Sequence, residues 1–264
     1  MYSPKIRAAV LAVALGLTGC GADTLPPTAA ISKDGAPGGG AYPSVEIKKD
    51  ELPTPFGEPV SASGGREVIE HPTVADIMAP SPLPEMSWGR TDAPVTIVQY
   101  ASLTCPHCRR FHLETYPEFK RTYLDTGKVR YILREFPIGK MSGLATVAIR
   151  CAPADKYLIL YDKFMSQQSA WVSQEVRPDA VFAIAQQVGM KRSEFDACSQ
   201  NQGMIEGLKW VKERGRKLGI IGTPNFFIGD KLVKSVLTMN DIRAAVEPLL
   251  SGQAATASAT PAPR

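Results

Sequence analysis

The amino-acid sequence predicts an α/β fold in which a βαβ unit and a ββα unit flank a run of helices. Three observations carry that expectation. Residues 94–100 (P-V-T-I-V-Q-Y) and 128–136 (K-V-R-Y-I-L-R-E-F) are short, β-branched and aromatic-rich runs of the kind that form buried strands. The stretch from 141 to about 210 is Ala-rich and helical in period. After it, residues 225–228 and 231–235 form two more strand-like runs joined by the tight turn Gly229-Asp230.

The elements follow in order. Between the first two strands, residues 109–124 place Phe111, Tyr116, Phe119 and Tyr123 on one helical face, with Pro117 expected to kink the helix. Strand, helix and strand then make a parallel βαβ pair. Three or four helices are expected over 141–210, with stops at Gly189 and Gly203. The last element is an amphipathic helix over 241–250 carrying Ile242, Val246 and Leu249 on one face. The organisation expected is residues 1–19 as a leader, 20–85 as a Pro/Gly-rich tether and 86–140 as the first α/β half. Residues 141–212 form the helical insert, 213–250 the second half and 251–264 a disordered Ala/Thr/Pro tail. Within the tether, residues 68–78 could form a short helix.

The leader has Lys5 and Arg7 before an apolar stretch, 8–17, too short to span a bilayer, followed by Leu17-Thr18-Gly19-Cys20. It resembles a bacterial lipoprotein signal in which Cys20 becomes the lipidated residue. The alternative is a plain secretory signal with Cys20 incidental. Both predict export to the periplasm or the extracytoplasmic face of a bacterial membrane. The net charge is +4, and two of those charges lie in the leader; the mature chain is only mildly basic, which gives no case for nucleic acid.

Five cysteines are present: Cys20, Cys105, Cys108, Cys151 and Cys198. Without Cys20, four remain, suited to two disulfides in an oxidising compartment. Cys105 and Cys108 are a local pair and Cys151 and Cys198 the other; two buried free thiols are the alternative for the latter. Cys105-Pro106-His107-Cys108 follows a strand and opens a helix. There the unpaired N–H groups and the positive end of the helix dipole favour a thiolate on the first sulfur, and the thiolate is the nucleophile of disulfide exchange. His107 can add positive charge or a hydrogen bond, and Pro106 fits the first helical turn without losing a donor. A small Cys-x-x-Cys loop gains little stability from its bond, so a purely structural bridge is disfavoured. Zinc would need a second close pair. Haem attachment would need a His where Arg109 stands. No metal and no other cofactor is expected.

The runs V-T-I-V-Q-Y-A-S-L-T-C-P-H-C-R-R-F-H, R-E-F-P and I-G-T-P-N-F-F-I-G together resemble the DsbA family of thioredoxin-fold oxidoreductases over about residues 88–250. The resemblance implies a thioredoxin fold with an inserted helical domain. It implies Cys105 as nucleophile, Cys108 as resolving thiol and His107 as the residue that tunes Cys105. It further implies a cis Pro224 beside the dithiol and a Thr223 whose backbone meets the substrate peptide. Some relatives carry a second, non-catalytic disulfide, so a Cys151–Cys198 bridge is expected. One departure stands out: many relatives carry an acid six residues before the first Cys, where this chain has Gln99.

The activity implied is a monomeric dithiol oxidase that passes its disulfide to exported proteins with cysteines and is re-oxidised by a membrane partner. An envelope isomerase or reductase is the near alternative and a copper-binding thiol carrier the distant one. His71 is placed in the tether and His112 on the helix surface. Trp88, Trp171 and Trp210 are read as packing residues, and the charged run 209–217 as a solvated helix face.

Overall fold

The computed structural model describes residues 68–258. Its centre is a five-stranded mixed sheet of β1 (Met86–Trp88), β2 (Val95–Ala101), β3 (Val129–Glu135), β4 (Asn225–Ile228) and β5 (Lys231–Val233). The spatial order is β1-β3-β2-β4-β5. β2 and β3 are parallel, with Val98 opposite Ile132; β4 runs antiparallel to β2, and β5 and β1 complete the edges antiparallel. The βαβ and ββα halves are therefore joined through β2 and β4. The strand β1 was not anticipated: it is three residues long, too short to show a period.

Both faces of the sheet are covered, which is why β2 and β3 are nearly continuous apolar runs. On one face Val95, Ile97, Ala101, Tyr131, Leu133 and Phe226 pack with the helix that follows Cys105 and with the helical insert. On the other, Val98, Tyr100, Ile132, Phe136 and Phe227 pack with Ile77, Leu218 and Ile220. Ile77 belongs to α1 (Val74–Ile77), capped at Thr73, whose hydroxyl accepts from the Asp76 N–H while the Asp76 carboxylate accepts from the Thr73 N–H.

The helix expected over 109–124 begins earlier and is not uniform. It consists of α2 (Pro106–Arg110), a π-helical turn Phe111–Thr115, α3 (Tyr116–Phe119) and a second π-helical turn Lys120–Leu124. Pro117 has no N–H to donate and its ring crowds the preceding turn, and the irregularity brackets it. The C-terminal helix α10 (Met239–Ser258) and the residues just before it lock onto this segment: Tyr123 donates to Glu247 at 2.7 Å and Thr115 donates to the Leu237 carbonyl at 3.0 Å.

The insert holds six α-helices rather than three or four. They are α4 (Gly139–Cys151), α5 (Tyr157–Ser166), α6 (Gln168–Trp171), α7 (Pro178–Ala185), α8 (Arg192–Ser199) and α9 (Gln202–Lys217). Pro153, Pro178 and Gly189, at φ +92°, cut a stretch whose composition alone looks continuous. Gly203 falls in the first turn of α9 instead of ending a helix, and α9 runs past the expected boundary at 212. Cys151 of α4 and Cys198 of α8 are disulfide-bonded, with Cα atoms 6.1 Å apart. The insert is also tied to the sheet by a buried pair: Arg150 grips Glu135, at the end of β3, through both carboxylate oxygens, and Tyr157 donates to the same carboxylate.

Further expectations are corrected. Residues 68–85, assigned to the tether, pack on the domain. The Ile69 N–H donates to the Lys217 carbonyl at 2.8 Å, Arg214 donates to the Asp76 carbonyl at 2.6 Å, and Leu83 is buried against α9. Leu83 fits because position 207 is Gly: a Cβ there would sit 2.5 Å from its Cδ2. The leader and the rest of the tether lie outside the described residues. So does Cys20. The tail is helical through Ser258, eight residues into the segment read as disordered, because its Ala-rich start continues α10. The charged run 209–217 is not wholly solvated: Lys212 donates to the Pro137 carbonyl and Arg214 is largely buried against α1. Trp171 and Trp88 are packed, but Trp210 is 40% exposed.

The disulfide closes 47 residues of sequence, for which the chain-entropy model gives about 4 kcal/mol. The double replacement Cys151→Ala/Cys198→Ala should lower unfolding free energy in urea by an amount of that order. A loss below about 1 kcal/mol would mean that α4 and α8 hold each other without it.

Candidate active site

The site begins with the end of β2. After Ala101 the chain turns, with the Cys105 N–H donating to the Ser102 carbonyl at 3.1 Å, and enters α2. Cys105 is the N-cap, in extended conformation, and Pro106 occupies the first helical turn. Cys105 is partly exposed and Cys108 is fully buried; both are free thiols. His107 and Pro106 are exposed.

Across from them, the Thr223–Pro224 peptide is cis. The Cys105 thiol donates to the Thr223 carbonyl at 3.1 Å, across 118 residues of sequence. The antiparallel pairing of β2 with β4 sets this contact: Tyr100 lies opposite Asn225, so the residues just before β4 arrive beside the residues just after β2.

The two sulfurs are electrostatically unlike. The Cys105 thiol is pulled down to about 5, chiefly by the hydrogen bond from the Cys108 thiol and against a desolvation cost. Thr223 and the backbone N–H groups of Cys108 and His107 contribute next. The last two are the free donors of a helix N-terminus. Cys108 is held well above the ordinary thiol range by burial and by the neighbouring Cys105. Among the described residues, the His107 imidazole has no hydrogen-bond partner; its backbone N–H contributes to the thiolate.

Behind Cys108 lies a buried polar layer. Gln99, 1% exposed, accepts a hydrogen bond from the Tyr131 hydroxyl, while its Nε2 has no partner. Burial keeps Tyr131 and Tyr161 neutral well above the usual phenol range, and a charged Cys108 would raise them further. His112 is not on the surface as expected. It is one turn beyond Cys108, 8% exposed, stacked on Tyr116 and edge-on to Tyr161, and bonded to Asp162 at 3.1 Å. Burial holds its imidazole below the ordinary histidine range, against the pull of Asp162. The polar character of this layer was legible only at Gln99. An aromatic-flanked His on a helix gives no sign of which way it faces.

One positioning residue escaped sequence reasoning altogether. Gln168 of α6, buried, donates through Nε2 to the Leu103 carbonyl at 2.7 Å and to the Cys105 carbonyl at 3.1 Å. It ties the insert to the turn that carries the nucleophilic sulfur. No motif surrounds it, and its partner is 63 residues away. Among the described residues, no group of three or more His, Cys, Asp or Glu gathers into a metal site.

Chemically, the arrangement offers one accessible thiolate at neutral pH, backed by a buried thiol that holds its proton. It offers also the cis Thr223–Pro224 loop, whose Thr223 carbonyl lies beside the reactive sulfur. That is a thiol pair able to cycle between dithiol and disulfide by exchange with a partner in the opposite redox state.

A thioredoxin family model matches residues 82–248. A putative protein-disulfide oxidoreductase of Rickettsia bellii is 29% identical over 168 residues, covering 62% of this chain and 63% of its own. A probable disulfide bond formation protein D of Bacillus anthracis is 28% identical over 156 residues, covering 56% and 71%. The match spans less than two thirds of the length of the rickettsial relatives. The crystal structure of Wolbachia pipientis alpha-DsbA1 superposes with a TM-score of 0.63 at 25% identity, covering 70% of this chain and 99% of that one. Oxidised BdbD of Bacillus subtilis shares the fold, with a TM-score of 0.59 at 22% identity.

Titrating thiolate absorbance in the reduced protein should give a midpoint near 5 for Cys105. In Cys108→Ala, which removes the largest stabilising donor, the midpoint should move up toward the ordinary thiol range; an unmoved midpoint would assign the thiolate to the helix N-terminus alone. Because the folded value lies below the unfolded one, the unfolded state binds the extra proton between the two. The contribution to reduced-state stability is therefore full above the unfolded thiol's range and lost as pH falls through about 5.

Proposed function

The chain belongs to the thioredoxin family, and we propose that it is a thiol–disulfide oxidoreductase of the DsbA type working as a dithiol oxidase on exported proteins. One observation carries the reading: Cys105, pulled down to about 5, lies against the cis Thr223–Pro224 peptide at the protein surface. Stabilising the thiolate stabilises the reduced form, which makes the disulfide a better oxidant. The names of the rickettsial and bacillar relatives agree with such chemistry.

The reaction runs as two exchanges. A substrate thiolate attacks the Cys105 sulfur of the Cys105–Cys108 disulfide, forming a mixed disulfide and expelling Cys108. The Cys108 thiolate is disfavoured by burial and takes up a proton. A second substrate thiolate then attacks the substrate's sulfur in the mixed disulfide, closing the substrate disulfide and releasing Cys105 as a stable thiolate. Two electrons pass from substrate to protein. A membrane redox partner that removes them restores the disulfide. Thr223 and Pro224 shape the peptide site, and Pro106 holds the geometry of the first turn. His107, exposed at the mouth, tunes Cys105 by charge and through its N–H. Proton delivery to Cys108 does not use a carboxyl at position 99; the Gln99–Tyr131 pair and His112 are the polar groups that line the way.

The Cys151–Cys198 bridge suits an oxidising compartment, as does an exported, Cys20-anchored chain acting as a monomer. The test is the reduction potential of the Cys105–Cys108 pair together with oxidative refolding of a reduced disulfide protein. The expectation is an oxidising potential and refolding faster than with glutathione alone; a potential as low as that of a cytosolic reductant would sink the oxidase reading. His107→Ala should make the disulfide less oxidising, and an unchanged potential would remove His107 from the mechanism.

A further inference from the structure

The mouth of the site opens into a cavity of about 470 Å³ between the first turns of α2, the 221–225 loop and the segment after β5. Its charged groups are all of one sign. Arg110 and Lys234 line it, with His107 at its edge and no Asp or Glu among the lining residues. Neither Arg110 nor Lys234 has an ion-pair partner among the described residues. The nearby acids Glu70 and Asp230 line a neighbouring hollow, which Lys234 also borders. The apolar part of the wall includes Ile221, 84% exposed, and Pro224.

The cavity wall also includes Asn225, 5% exposed, whose Nδ2 donates to the Pro224 carbonyl at 2.7 Å. A carboxylate beside the cis-proline loop would reach both Arg110 and Lys234.

We propose that this cavity is a specificity subsite for an acidic residue flanking the substrate cysteine, with Arg110 and Lys234 binding its carboxylate. The subsite rests on the exchange reaction proposed above and adds to it a substrate class: segments of unfolded protein in which Asp or Glu lies next to the reacting Cys. Charge complementarity of this kind acts mainly on the rate of encounter and fades as salt screens it.

The experiment measures second-order rates at which the oxidised full chain reacts with reduced peptides identical except for Asp or Lys beside their cysteine, each normalised to uncharged dithiothreitol. The Asp peptide should react about tenfold faster at low salt, the ratio falling toward one in molar salt. In Arg110→Glu/Lys234→Glu the preference should vanish or invert. Arg110→Lys should keep it, and so should Arg121→Glu, an exposed charge reversal on another part of the helix. Equal rates for the two peptides, or a preference that survives the double reversal, would overturn the subsite. Loss of the preference in Arg121→Glu as well would assign it to overall charge and overturn the subsite equally. Failure to react even with dithiothreitol would defeat the exchange reading itself, and the subsite with it.

Discussion

The pairing of β2 with β4 is the constraint on which the site depends. It sets Tyr100 opposite Asn225 in one sheet. From that register, the turn after β2 and the cis peptide before β4 must meet at the same sheet edge, and Cys105 reaches the Thr223 carbonyl. The two residues are 118 apart, so a flexible chain would bring them together only at a large entropic cost. The core on both sides of the sheet meets that cost. Tyr100, Ile97, Phe226 and Phe227 are essentially excluded from solvent, and they belong to the two strands that hold the register.

Given that meeting, two residues at the start of the helix separate two thiols with opposite behaviour. The N-cap position leaves Cys105 under free N–H groups and near the surface. The next turn inward carries Cys108 into the apolar layer between helix and sheet, where a charge has nothing to solvate it. Each sulfur also acts on the other: the Cys108 thiol donates to the Cys105 thiolate, and that charge further discourages ionisation of Cys108. The difference between them follows from where the helix starts relative to the end of β2.

The helical insert does more than cover the sheet. Its Gln168 holds the carbonyls of Leu103 and Cys105, and its Arg150 holds Glu135 at the end of β3. The first fixes the turn that presents the reactive sulfur; the second fixes the strand beside it. Residues 68–85 add a similar clamp, with Ile77 packed on the opposite face of the sheet and Leu83 packed against α9. These clamps have no sequence signature, because each joins residues far apart along the chain.

By itself the sequence determined the strands β2, β3 and β4, the helical character of the insert, the position of Cys105-Pro106-His107-Cys108 at a helix start and the weight of Thr223-Pro224. These are legible because periodicity, turn chemistry and short motifs act over a few residues. Tertiary structure decided the rest. It turned His112 inward against Tyr161, because the π-helical turns around Pro117 and the packing of α5 set which face of the helix is covered. It brought Gln168 to the active-site turn, cut the insert into six helices and ordered the end of the presumed tether by giving Leu83 a glycine to rest on. It also brought the 221–225 loop to the dithiol. That juxtaposition, with Arg110 and Lys234 around one cavity, depends on strand register, which no local pattern of residues encodes.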